Sequence, residues 1–149
     1  MRRSRHTGPT TGLTRGGYRH TAGFMPRPLR TLTTLLGVGF TLQGIAWLVV
    51  PERAAAGLGM MVLDCVGRST QFGDFAAFFL AAGVTMLEGT RAGQERLLYV
   101  PAGLFGCAAL GRTVAWAFHG AAFAATFIAV EVATSLLLLV VARQDSTDA

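Results

Sequence analysis

The chain has 149 residues, enough for one domain, with 52% hydrophobic and only 14% charged residues and a mean hydropathy of +0.48. A soluble domain carries about 25% charged residues and a disordered chain lacks this much apolar surface, so composition leaves the membrane class. All 13 basic residues behind the net charge of +5 are Arg, and seven of them crowd into the first thirty positions, ahead of the first apolar run. That pattern suits anionic lipid and membrane orientation, not a nucleic-acid groove.

Residues 1–28 read as a disordered, Arg-rich tail, broken at Gly8-Pro9 and Pro26-Arg27-Pro28. Arg2-Arg3 lacks the apolar core of a twin-arginine signal behind it, and Met25 is an alternative start. Residues 29–142 are expected to form an all-α, four-helix transmembrane bundle. The first span, 31–50, is free of charge throughout; at about 1.5 Å per residue it reaches roughly 30 Å, the hydrocarbon thickness. Ala54-Ala55-Ala56 resembles a signal-peptidase site, but the run exceeds the roughly 7–15 residues of a signal core and reads as an uncleaved anchor.

Segment 51–71 reads as a short helix and turn at the outer interface, with Pro51 at the first helical position and Glu52 at the positive end of the dipole. A lid over an outward cavity is the alternative. The second span, 70–89, is charge-free only between Asp74 and Glu88. The third, 97–118, contains Arg112, and Pro101 predicts a bend near one end. The fourth, 121–142, contains Glu131. Only His119-Gly120 separates these two, which predicts a tight antiparallel hairpin. Residues 143–149 read as a short polar tail.

With the N-terminus inside, ten Arg fall on the cytoplasmic side, and Arg53 and Arg68 fall outside. The positive-inside rule then predicts both termini in the cytoplasm and a multi-pass protein of the bacterial inner (plasma) membrane. Small residues recur at spacing four, as Gly103, Cys107, Gly111 and Ala115 on the third span and Ala121, Ala125, Ala129 and Ala133 on the fourth. Such ridges let helices approach closely, and packing within the bundle is the favoured use.

Ionisable residues inside a span carry an insertion penalty of about 2.5–3.5 kcal/mol, so each needs a partner or a purpose. Counted from the outer helix ends, Asp74 lies about 3–5 Å deep, Arg112 about 9 Å, Gln43 about 10 Å and Glu131 about 15 Å. Trp116 and His119 share a face with Arg112, and Thr134 and Ser135 share one with Glu131. These four are candidate cavity-lining residues. A buried Asp74–Arg112–Glu131 network fixing helix register is the favoured reading, because one Arg between two carboxylates supplies the pairing that burial demands. The competing reading is an outward cavity in which Glu131 binds a proton or cation. Trp116 serves either as a cation–π partner of Arg112 or as a belt residue, and Trp47 as a belt anchor.

The run Gly111-Arg112-Thr113 through Trp116, then His119-Gly120, a fourth helix centred on Glu131, and Pro51-Glu52-Arg53 with the small residues to Gly59 resemble a bacterial family of small four-helix integral membrane proteins, the unknown-function family numbered 4345. The likeness covers residues 29–142. It implies the four-helix architecture and Arg112 with Glu131 as a pair, and it implies nothing catalytic.

Cys65 and Cys107 are far apart in sequence, and His6 and His20 lie in the tail. A redox thiol pair, a bis-His haem and a metal cluster are therefore not expected, nor is any other cofactor. The leading reading is a non-enzymatic accessory or interaction subunit, in contact with the lipid bilayer and with further copies or other membrane proteins. The alternative is a small oligomeric proton- or cation-coupled transporter using Glu131. A membrane enzyme with Glu131 or Asp74 as acid or base ranks third. Small multidrug exporters carry their membrane carboxylate in the first span, where this chain has Gln43.

Overall fold

The computed structural model describes residues 25–144. In it α1 runs Arg27–Val49, α2 Pro51–Gly57, α3 Cys65–Gly89, α4 Tyr99–His119 and α5 Ala125–Gln144, with a 3₁₀ turn over Glu95–Leu98 ahead of α4. The described residues contain no strand. Apart from α2, each helix is long and apolar enough to cross a membrane, α4 being counted together with its 3₁₀ turn. The all-α class and the four spans follow.

Several expected boundaries move. Most of the expected disordered tail, and residues 145–149 of the polar tail, lie outside the described residues. Positions 25–28 belong to the bundle instead, because Met25 is buried in the core and the prolines start α1. A proline in the first turn lacks an N–H that the helix would leave unpaired anyway. The same rule applies to Pro101, which lies in the first turn of α4 and breaks no hydrogen bond there. At the other end, Arg143 and Gln144 extend α5.

The helix of the second span starts five residues earlier than the apolar stretch, at Cys65. Its polar first turns are stabilised locally: Arg68 pairs with Asp64 at 3.5 Å and Thr70 Oγ1 donates to Val66 O at 3.2 Å. The α4–α5 connection is longer than the expected hairpin and occupies residues 120–124. Gly120 closes α4 in the left-handed region at φ 67°, a conformation glycine adopts without a Cβ penalty.

Within segment 51–71, residues 51–64 form the expected short helix and turn, with Pro51 at its start and Glu52 in its first turn, while 65–71 already belong to α3. The buried Gln71 side chain clasps the turn. Its Oε1 accepts from Leu63 N at 2.9 Å, and its Nε2 donates to Met61 O at 3.1 Å.

The long helices pack as two pairs. In the first, α1 lies so close to α3 that a Cβ on Gly83 would overlap Thr41 and come within 2.8 Å of Gly37 O, and one on Gly44 would lie 2.9 Å from Leu80 N. In the second, Ser135 Oγ of α5 donates to Ala102 O of α4 at 2.8 Å. The two pairs converge at the end that carries Met25, the 3₁₀ turn and the C-terminal part of α5, where Met86, Leu98, Phe105, Leu138 and Val141 share one core. The opposite end has a separate core built from α1, α2 and α3 alone, around Trp47, Ala54, Ala55 and Phe79. From 110 to 130 the α4–α5 pair buries no residue, so the pairs part toward the α2 end.

Candidate functional site

Between the parted pairs lies a cavity of about 840 Å³. Its wall takes Gln43 from α1, Asp74 from α3, Arg112 from α4 and Glu131 from α5, so all four expected network residues border one space. The rest of the wall is mostly apolar, with six phenylalanines, and Leu58 just past α2 contributes to it.

The network itself is smaller than expected. Arg112 Nε donates to Glu131 Oε1 at 2.8 Å, a charge-assisted bond of the stronger kind. The Arg112 side chain keeps 30% of its exposure and that of Glu131 keeps 11%. Asp74 does not join them: it is exposed and has no ion pair or hydrogen bond among the described residues. Gln43 Nε2 donates to Ala54 O at 3.4 Å, which ties α1 to α2.

The expected lining residues separate. Trp116 is 49% exposed and packs on Phe123 at 4.9 Å between ring centroids, not on Arg112. His119 is exposed at the end of α4. Thr134 and Ser135 are buried. None of the four lines the large cavity, although Ser135 borders a smaller one of about 330 Å³ between α4 and α5. Thr134 and Ser135 share a helix stripe with Glu131, but they sit a turn further toward the end where the pairs converge, and packing covers the stripe there.

Phe127, which the sequence reading passed over, is the cation–π partner of Arg112, with Cζ 5.0 Å from its ring centroid. It precedes Glu131 by four positions, so one face of α5 presents both groups to the same guanidinium. That spacing was the available signal. Trp47 is not a belt anchor: it is fully buried, stacked on Phe75 at 4.7 Å.

The small-residue ridges of α4 and α5 also differ from expectation. Gly103, Cys107 and Gly111 are exposed, as are Ala121, Ala125, Ala129 and Ala133; no neighbouring helix covers them, and Gly103 and Cys107 border cavities. Four buried polar atoms have no partner among the described residues: Glu131 Oε2, Trp47 Nε1, Thr33 Oγ1 and Glu95 Oε2. Only Glu131 of these lines the large cavity. No group of three or more His, Cys, Asp or Glu among the described residues is placed to hold a metal ion.

Fold and site together define a multi-pass helical membrane protein with a cavity between its helix pairs. No family model, curated protein or solved structure matches the chain.

Proposed function

We propose that this is a non-enzymatic accessory protein of a bacterial plasma membrane, with both termini cytoplasmic, that holds an apolar molecule between its two helix pairs. One observation carries the reading: the Arg112–Glu131 pair borders a large apolar cavity and is not enclosed by close packing. A pair serving register alone gains most from full enclosure with every polar atom satisfied, whereas Glu131 Oε2 lacks a donor. The cavity volume falls within the roughly 300–1,000 Å³ of small-molecule sites. The exposed alanine ridge of α5 offers the bilayer, further copies or another membrane protein a smooth surface. The family likeness at Arg112 and Glu131 is part of the same proposal.

Native mass spectrometry of the detergent-purified full chain tests it. One bound apolar molecule per chain is expected, lost in Ala108→Phe, whose ring would enter the cavity that Ala108 lines. A wild-type spectrum with no adduct, and no uptake of added triphenylphosphine oxide, tetraphenylphosphonium or tetraphenylborate, would overturn the reading.

A second reading, a small oligomeric proton- or cation-coupled transporter, draws on the unpartnered Glu131 Oε2. It requires flux into vesicles that disappears in Glu131→Gln.

A further inference from the structure

The charges on the cavity wall are unbalanced. Among the described residues Arg112 is the only basic one lining it, and two carboxylates, Asp74 and Glu131, line it with Arg112. Glu131 takes the guanidinium through Oε1, so the charge of Arg112 is already matched. Asp74 then has no counter-ion among the described residues. Glu131 is only 8% exposed, and its Oε2 has no donor. The cavity wall therefore has acceptors to spare and one negative charge in excess, on a mostly apolar lining where unpaired charge interacts strongly.

The apolar wall points the same way. Six of its residues are phenylalanines, and the ring of Phe127 already lies under one cation. Aromatic faces attract positive charge, most of all where water is thin.

We infer that the occupant is a lipophilic cation, its charge beside Asp74 and Glu131 and its apolar body among the phenylalanines. The inference rests on the binding role proposed above and adds the sign of the ligand's charge. An anionic amphiphile would meet both carboxylates and would have to displace Glu131 from Arg112. A neutral one could at most donate a hydrogen bond and would leave the negative charge of Asp74 unbalanced.

Three probes of similar shape and opposite or no charge test it on the full chain in nanodiscs: tetraphenylphosphonium, triphenylphosphine oxide and tetraphenylborate. Specific binding is taken as the part lost in Ala108→Phe. Tetraphenylphosphonium is expected to bind most tightly, and Asp74→Asn to weaken it by about tenfold, the effect of one nearby charge at intermediate dielectric. The same substitution should leave the neutral probe unchanged. Asp74 is exposed and unpaired, so its amide variant keeps the fold, and thermal unfolding of that variant checks this directly. Equal binding of the neutral probe, tighter binding of tetraphenylborate, or indifference of the cation to Asp74→Asn would overturn the inference and leave a binding cavity standing. If none of the three binds in a way that Ala108→Phe abolishes, the binding role falls with it.

Discussion

Arg112 and Glu131 illustrate how a single residue forces a choice on a membrane protein. Neither charge is tolerated alone in an apolar span, so each must find the other, and the 2.8 Å bond between them is the result. The two partners are not equivalent. Removing Arg112 strands a nearly buried carboxylate, while removing Glu131 leaves a guanidinium that still has the face of Phe127 and partial exposure. Arg112→Gln is therefore expected to lower unfolding stability in detergent by about 1–3 kcal/mol, below the range for a fully buried pair because of that exposure, and Glu131→Gln by less. The double variant should recover much of the Arg112→Gln loss, which thermal unfolding of all four forms would measure.

This pair was legible in the sequence because hydrophobic surroundings leave ionisable residues few alternatives. Asp74 was not: α3 begins at Cys65, so Asp74 lies further inside its helix than the apolar stretch implied, and there it is exposed on the cavity wall and not packed against Arg112. Spacing along one helix made Trp116 one candidate partner of Arg112, with the membrane belt as its other place, but spacing says nothing of the neighbouring helix, which supplied Phe127.

At the scale of the element, the closest approach in the molecule belongs to α1 and α3. Thr41 and the Gly37 carbonyl leave no room for a side chain at position 83. Gly83→Ala is expected to push the helices apart and destabilise the protein by about 2–3 kcal/mol, since backbone atoms cannot yield as a flexible side chain does. Gly103→Ala has nothing within 4 Å to meet. It should be neutral or stabilising by up to about 1 kcal/mol through helix propensity. Thermal melts of the two variants side by side decide whether Gly83 or the longer ridge of α4 holds the bundle.

The ridge of α4 looked like a packing face because small residues recur there at a regular spacing of four. Periodicity identifies a face and cannot identify what lies against it. Gly37, Gly44 and Gly83 make a less regular pattern, and their importance appears only when two helices are set side by side. Helix existence was read correctly for all four spans because charge-free length is a direct physical requirement of the bilayer. The start of α3 was missed for the same reason: a helix does not stop where its apolar stretch does.

For the molecule as a whole, orientation is the property that composition addresses most directly. Cys65 is exposed at the α2 end, opposite the end that carries Met25 and the C-terminal part of α5. If the termini are cytoplasmic, a membrane-impermeant maleimide should label intact cells. That label should vanish in Cys65→Ser and persist in Cys107→Ser. Labelling of Cys65 that appears only after lysis would reverse the proposed topology.

The parting of the helix pairs toward the α2 end also gives the protein a different footprint in each half of the bilayer. Lipids on the α2 side must surround a broader outline than those on the other. If the cavity holds a guest as proposed, squeezing that leaflet is expected to press the pairs together and lower occupancy, and loosening it to raise occupancy. Leaflet tension would then act on binding through a bundle pinned at one end.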